Sequence, residues 1–176
     1  IQGWKGSKKL ATVTDPFTGR EVVVLPSLTP DVVMIHVQWA DAKGNIQAWG
    51  SFFCDIIAAK AARKLLVSVE DIVDEATIRR DPNRTVLPWF MVDAVVKAPW
   101  GAHPRNVPGY YDMDEEFRAM YAKMARTVEG FEQFLSEWVY GVENHEGYLN
   151  KLGMDRLMRL KATPYPSTSV DYGMTI

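Results

Sequence analysis

Apolar residues follow two different periodicities along the chain, and the change between them separates a strand-rich part from a helical part. The segment DVVMIHVQWAD at residues 31–41 is a nearly continuous apolar run. Such a run predicts a strand buried on both faces, as in parallel sheets. Three more segments predict strands: EVVVLP at 21–26, LLVSVEDIV at 65–73, and RTVLPWFMVDAVVKAP at 84–99, which Pro88 interrupts.

Helices are predicted between and after these strands. Asp55 is the expected N-cap of a short helix over residues 56–64. Residues 75–84, EATIRRDPNR, are expected to form an exposed polar loop. From residue 112 onward apolar side chains recur at threes and fours, which predicts an amphipathic helix or a helix pair with Gly130 as a candidate break.

The ends of this helical part carry capping signals. Asp112 and Glu115 have the spacing of a capping box, and Gly141 is the predicted C-cap. Residues 147–161 predict one more short helix, and the last residues, 166–176, predict an extended tail. Strands that alternate with helices, followed by a helical C-terminus, predict an α/β domain.

Composition excludes several classes of partner. The chain has 20 Lys and Arg against 22 Asp and Glu, so neither nucleic acid nor an anionic membrane is expected as a partner. No apolar run approaches a membrane span, and no signal-peptide pattern opens the chain. The single cysteine, Cys54, excludes a disulfide framework, fits a cytoplasmic location, and is expected to be a buried, inert thiol. The three histidines are far apart in sequence, so no metal site is predicted.

Polar side chains on one face of the 31–41 strand are the first candidates for a site. By strand alternation His36 and Gln38 point the same way, near the carboxyl end of the strand, where ligands of open α/β sheets bind. The alternative is that both side chains satisfy backbone groups in the core. Gln47, which shares a face with Asn45 and Trp49, is either a ligand-binding amide or part of a sheet edge.

The loop VVKAPWGAHPRNVPGYYD at residues 95–112 is the second candidate. Gly101 permits close backbone approach and the prolines restrict the loop around His103. Tyr110 and Tyr111 either line a site or seal the loop against the following helix. The acidic run from Glu70 to Glu75 is expected to be a solvated turn or to pair with nearby arginines.

The order of these motifs resembles a known family. PFTG, then a strand with HVQ and AD, then GN.Q, VE.IVD, GAHP and GYY resembles the A (alpha) subunit of family I CoA-transferases of the glutaconate CoA-transferase type, over about residues 12–160. The same motifs resemble the A subunit of a related hydrolase that opens the last steroid ring of cholesterol as a CoA thioester. The resemblance implies an open α/β sheet of the NagB/RpiA/CoA-transferase type, flanked by helices.

The resemblance also implies how such an enzyme works. It implies an obligate B (beta) subunit, in a heterodimer or heterotetramer, and an acyl-CoA thioester as substrate with no bound cofactor. The nucleophilic glutamate of the transferases belongs to the B subunit, so no catalytic residue is expected in this chain. Two activities stay open, CoA transfer to a free carboxylate and C–C bond hydrolysis, beside a third option, a fragment that retains an interaction role without activity.

The resemblance covers the C-terminal part of an A subunit. Residues 1–165 are therefore expected to be that part of the domain, without the glycine-rich N-terminal portion of a full subunit. His36, Gln38, Gln47, Gly101, His103 and Tyr110 are the predicted substrate-binding residues.

Overall fold

The computed structural model describes residues 10–162 of the chain. The opening residues 1–9 and the tail expected over residues 166–176 lie outside this range. An antiparallel hairpin opens the described part, with strands β1 (Ala11–Thr14) and β2 (Glu21–Val24). Both strands of the hairpin are exposed along their whole length.

A five-stranded sheet forms the centre of the fold. Its strands are β3 (Val32–Asp41), β4 (Ile46–Gln47), β5 (Lys64–Val73), β6 (Thr85–Leu87) and β7 (Ala94–Lys97). Their order in the sheet is β6-β4-β3-β5-β7. The β3, β5 and β7 strands are parallel, whereas β4 is antiparallel to both β3 and β6. The sheet is therefore mixed, and the predicted interruption at Pro88 separates β6 from β7.

The expectation that the 31–41 strand is buried on both faces is correct for only half of it. Val37 and Gln38 are buried, but Val32 is 53% and Met34 is 77% exposed. The β4 strand pairs with β3 at Trp39 and beyond. Among the described residues, the first half of β3 therefore has a neighbouring strand on one side only. The apolar run predicted more burial for this half than the structure shows.

The helices flank the sheet and form the C-terminal part. They are α1 (Asp55–Ala61), α2 (Glu75–Arg80), α3 (Glu115–Met124), α4 (Val128–Trp138), α5 (His145–Leu152) and α6 (Met154–Leu160). The α1 helix begins at Asp55 itself, so the predicted N-cap is wrong by one residue and Cys54 occupies that position.

The polar loop predicted over residues 75–84 is wrong, because this segment contains α2 and a 3-10 turn at Pro82–Arg84. Helix-forming signals explain the difference. The Asp74 carboxylate accepts a hydrogen bond from the Thr77 backbone N–H at 2.6 Å, which caps the helix. Basic side chains, Arg79 and Arg80, occupy the last turn, where the helix dipole favours them.

The predicted helix pair is present, but its boundaries differ from those expected. The N-cap of α3 is Asp114, which accepts from the Phe117 backbone N–H at 2.8 Å, and not Asp112. The break before α4 precedes Gly130, whose N–H is capped by Thr127 Oγ1 at 3.0 Å.

Two further helix boundaries differ from the prediction. Val139 and not Gly141 is the C-cap of α4. The single helix predicted over 147–161 is two helices, since Gly153 has a φ of 86° between them.

Apolar side chains form two clusters. The larger one lies on the sheet and includes Val37, Leu65, Val67, Val69 and Leu87, with Ala59 of α1 packed against it. The smaller one lies among the C-terminal helices, around Phe117, Leu152 and Leu157. The two clusters are joined by the loop that follows β7.

His103 connects this loop to the helical cluster. Its side chain is 1% exposed, with Nδ1 2.6 Å from the Tyr148 hydroxyl and Nε2 3.0 Å from an Asp114 carboxylate oxygen. A neutral ring with its proton on Nε2 donates to Asp114 and accepts from Tyr148. Burial lowers the pKa of His103 below 6.5, against the raising effect of Asp114. The Arg156 guanidinium holds the pKa of Asp114 well below its ordinary value.

The buried, neutral state of His103 predicts acid sensitivity. The folded-state pKa of His103 lies below the unfolded value near 6.5, so the unfolded chain binds more protons at acidic pH. The stability that the neutral His103 contributes is therefore fully present above pH 6.5 and is lost as the pH falls. The free energy of unfolding should therefore decrease from pH 7 to pH 5, by at most about 1.4 kcal/mol per pH unit for one proton.

Urea unfolding of the wild type and of His103→Asn at pH 5, 6, 7 and 8 measures this effect. The variant should show a shallower pH dependence over this range. Asp114 contributes at lower pH, near and below its unfolded value of 3.8, and leaves the comparison unaffected. An equal slope in both proteins would contradict the assignment of a buried, neutral His103.

Candidate functional site

A group of polar side chains shares one face of the sheet, beneath the loop of residues 98–111. His36 on β3 is in register with Ser68 on β5. Gln38 and Glu70 follow two residues later on the same strands, so strand alternation places all four side chains on this face. The pair His36 and Gln38, predicted from the sequence to point the same way, therefore meets a second polar pair on the neighbouring parallel strand.

Glu70 is the centre of this group. Its side chain is 3% exposed, and its Oε1 lies 2.7 Å from His36 Nε2. The same oxygen accepts from the Tyr111 hydroxyl at 2.7 Å, and Oε2 accepts from the Trp100 backbone N–H at 2.9 Å. The other ring nitrogen of His36 lies 2.8 Å from Ser68 Oγ. One buried carboxylate thus joins a histidine of the sheet to two points of the loop.

The loop approaches His36 very closely at Gly101. A Cβ atom at this position would lie 2.6 Å from His36 Nδ1 and 2.7 Å from the Ala98 carbonyl oxygen. The preceding residue, Trp100, has a φ of 65°, a conformation that is rare for a bulky residue. Its ring stacks on Tyr111 with centroids 4.3 Å apart, which compensates part of that strain.

The two adjacent tyrosines bind two adjacent acids. Tyr111 donates to Glu70, while the Tyr110 hydroxyl donates to Asp71 at 2.7 Å and accepts from Trp39 Nε1 at 2.6 Å. Because Glu70 and Asp71 are consecutive in β5, they point to opposite faces of the sheet. Burial and the bond to each acid raise the pKa of both phenols well above 10. The loop is therefore held on both faces of the strand.

Gln38 connects a second loop, residues 48–54, to the 98–111 loop. Its Nε2 donates to the Trp49 carbonyl at 2.9 Å and to the Pro108 carbonyl at 3.2 Å. Its Oε1 accepts from the Trp49 backbone N–H at 3.3 Å. The side chain is 3% exposed, so its amide satisfies backbone groups, as the alternative interpretation of the sequence expected, and holds the two loops at a fixed distance.

A narrow cleft of about 90 Å³ lies between these two loops. Its lining includes His36, Gln38, Trp49, Ser51, Asp55, Asn106 and Pro108. Hydroxyl, amide and carboxylate groups beside an indole offer both donors and acceptors to a ligand, as polar groups in binding clefts do.

The structure brings three of the six predicted binding residues together, His36, Gln38 and Gly101. Tyr110 bonds to Asp71 on the other face of β5, and His103 lies in the helical cluster. Gln47 is fully buried, and its Nε2 donates to the carbonyls of Ile78 and Asp81. Within residues 10–162 its Oε1 has no hydrogen-bond partner. Gln47 fixes α2 to the sheet, away from the cleft.

Ser68 and Glu70 were missed as site residues. Both are polar residues two positions apart on one face of a largely apolar strand, which is the same signal that identified His36 and Gln38. The expectation that the acidic run is a solvated turn or pairs with arginines is wrong for its first members, since Glu70 and Asp71 lie in β5. It is correct for Glu75, which pairs with Arg79. The expectation of a buried Cys54 is also wrong, because that residue is exposed.

Within the described residues, the structure shows neither a metal site nor a helix that could span a membrane. No group of three or more His, Cys, Asp or Glu side chains within residues 10–162 is placed to hold a metal ion. In the same range, each helix is too short or too polar to cross a membrane.

The contact between Gly101 and His36 generates a prediction. Gly101→Ala should lower the free energy of unfolding by about 1–3 kcal/mol, since the new methyl group collides with an imidazole ring and a carbonyl that are both fixed by hydrogen bonds. Gly147→Ala is the matched control, because the nearest atom to a Cβ there is 3.6 Å away. Urea unfolding measures both variants, and equal stability of the two would contradict the close approach.

Comparison with known proteins identifies relatives of this fold. The sequence model of the family described as Coenzyme A transferase matches residues 4–98. The A subunit of glutaconate CoA-transferase from Acidaminococcus fermentans is 43% identical over 157 residues, which are 89% of this chain and 49% of that protein. The crystal structure of glutaconate coenzyme A-transferase from the same organism superposes with a TM-score of 0.84, over 89% of this chain and 50% of that one.

Two further relatives carry different activities in their names. The A subunit of 3-oxoadipate CoA-transferase from Pseudomonas knackmussii is 35% identical, over 84% of this chain and 52% of that protein. The cholesterol ring-cleaving hydrolase IpdA subunit of Mycobacterium tuberculosis is 32% identical, over 88% of this chain and 56% of that protein. The chain therefore spans about half the length of these curated relatives.

These comparisons confirm the resemblance deduced from the motifs. They also confirm the expected architecture, since the mixed sheet flanked by helices superposes on a solved CoA-transferase. The family model matches more than half of the residues, and the chain belongs to the coenzyme A transferase family.

Proposed function

We propose that this chain is part of the A subunit of a heteromeric CoA-transferase, which moves CoA between an acyl-CoA and a free carboxylic acid. The similarity to the glutaconate CoA-transferase relative, at 43% identity and with a TM-score of 0.84, carries the proposal. Because that relative is named as one subunit of a transferase, it supports a B subunit as partner, in a heterodimer or heterotetramer. In this proposal residues 1–165 belong to the C-terminal part of the A-subunit domain.

The proposed reaction uses a glutamate of the B subunit as nucleophile. Its carboxylate attacks the thioester carbonyl, the C–S bond breaks, and a mixed anhydride and CoA thiolate result. The thiolate then attacks the glutamyl carbonyl and releases the acyl group as its carboxylate, which leaves a glutamyl-CoA thioester. The acceptor acid repeats these steps in reverse order and leaves as the new acyl-CoA. No other cofactor is required.

The chain itself contributes a binding surface in this proposal. His36, Gln38 and Gly101 line or shape the cleft between the two loops, where the donors and acceptors would orient a polar part of the thioester substrate. Tyr110 and His103 hold the 98–111 loop that borders the cleft, whereas Gln47 fixes α2 to the sheet. The subunits act in the cytoplasm, in keeping with the single cysteine.

A second candidate function is hydrolysis of a C–C bond in a cyclic acyl-CoA. The 32% identity to the cholesterol ring-cleaving hydrolase IpdA subunit supports it. In that reaction water is the co-substrate and no glutamyl-CoA forms. The transferase is favoured because two relatives named as CoA-transferase subunits have higher identity, 43% and 35%.

Product analysis of the A–B complex tests the two functions. The complex, co-purified with its B subunit, is incubated with a panel of acyl-CoAs that includes a cyclic steroid-derived thioester, with and without acetate. Mass spectrometry should show new acetyl-CoA only in the samples with acetate and only when both subunits are present.

The separated subunits are the control for this experiment. A ring-opened CoA product that has gained the mass of water, in the same amount with or without acetate, would overturn the transferase proposal and establish the hydrolase. Absence of both products from the complex would contradict both enzymatic functions. It would support the third option, a chain that binds its partner without activity.

A further inference from the structure

Glu70 differs from the other acids near it. Asp71 pairs with Lys97, Asp74 caps α2, and Glu75 forms a surface ion pair with Lys43. Glu70 is 3% exposed, and the groups that converge on it are hydrogen-bond donors from three separate places in the fold. They are the His36 ring of β3, the Trp100 backbone at the start of the loop, and the Tyr111 hydroxyl at its end.

We propose that Glu70 is a positioning residue for the acyl-CoA reaction, because its carboxylate fixes the His36 ring and both ends of the 98–111 loop in one arrangement. This inference rests on the proposed function and adds a residue to it. Glu70 does not line the cleft, so it acts through groups that do. The cleft is bounded on one side by His36 and on the other by loop residues such as Asn106 and Pro108.

Between Trp100 and Tyr111, the two loop residues that bond to Glu70, the loop also makes a hydrogen bond of its own. The Ala102 backbone N–H donates to the Tyr111 hydroxyl at 3.0 Å, which is the same hydroxyl that donates to Glu70. The Gly101 backbone rests on the His36 ring. Displacement of Tyr111 or Trp100 from Glu70 therefore moves the Gly101–Ala102 segment relative to His36, and with it the wall of the cleft.

The chemistry of the site requires a carboxylate and excludes an amide. Two oxygens receive three donors, with Oε1 accepting from both His36 and Tyr111. A glutamine at this position would turn its own NH₂ donor toward at least one of these donors, at a side chain that is only 3% exposed. Leaving a buried donor unpaired is costly, and charge-assisted bonds such as these are the stronger kind.

The test compares Glu70→Gln with Glu75→Gln in the purified A–B complex. Glu75 is the matched control, since it lies in the same acidic run but on the surface, paired with Lys43 and Arg79. At a temperature where circular dichroism shows each complex fully folded, kcat/KM for the acyl-CoA should fall about 10–100-fold in Glu70→Gln, the scale expected for misplacement of reacting groups by about 1 Å. Glu75→Gln should remain within about twofold of the wild type.

A local readout accompanies the kinetics. In ¹⁵N-tryptophan-labelled protein, the backbone amide proton of Trp100 should move upfield in Glu70→Gln, because its acceptor is no longer a carboxylate. Tyr111→Phe serves as a second variant in case Glu70→Gln does not fold. It removes one donor to Glu70 and keeps the stacked ring. The loop should therefore shift less than in Glu70→Gln, and kcat/KM should fall about 3–10-fold.

The outcomes separate this inference from the proposed function. If the wild-type complex turns over acyl-CoA and both folded variants match it, Glu70 is not a positioning residue, whatever the reaction. If the wild type hydrolyses its substrate instead of transferring CoA, the proposed function fails. The same kcat/KM comparison, made for hydrolysis, then decides the role of Glu70.

Discussion

A buried carboxylate paired with a histidine on the neighbouring strand is the interaction on which the rest of the cleft depends. Parallel pairing of β3 and β5 sets His36 beside Ser68 and brings Glu70 within 2.7 Å of the His36 ring. A charge in this position is stable only if donors surround it, and the loop after β7 supplies them from Trp100 and Tyr111. The loop is therefore folded around the carboxylate.

The strand directions explain why the two loops meet beside Gln38 and Glu70. The β7 strand is parallel to β5, so the 98–111 loop leaves β7 beside Glu70. The β4 strand is antiparallel to β3, so the segment that follows it runs back along β3 and reaches Gln38. Gln38 then fixes the second loop against the first through the backbone of Trp49 and Pro108.

Much of this architecture could be predicted from the sequence, because the strands, the common face of His36 and Gln38, and the constrained loop all follow from local pattern. What the pattern could not provide is which residues meet across strands. The predicted 65–73 strand includes Glu70, but its acidic run was expected to be solvated or paired with arginines, because its true partners are 30 or more positions away in sequence. Gln47 resembled Gln38 in type, but it pairs with Trp39 of β3, so its amide points to the face opposite Gln38, toward α2. Local signals identify element types, whereas tertiary contacts decide their ends and their partners.

The central claim is that this chain shapes the site while the nucleophile belongs to the B subunit. The most direct test is to incubate the A–B complex with acyl-CoA, without an acceptor acid, and to locate the covalent CoA adduct by mass spectrometry of the separated subunits and their peptides. The account predicts the adduct on a glutamate of the B subunit and an unmodified A chain. An adduct on a residue of this chain, or turnover with no adduct on either subunit, would contradict it.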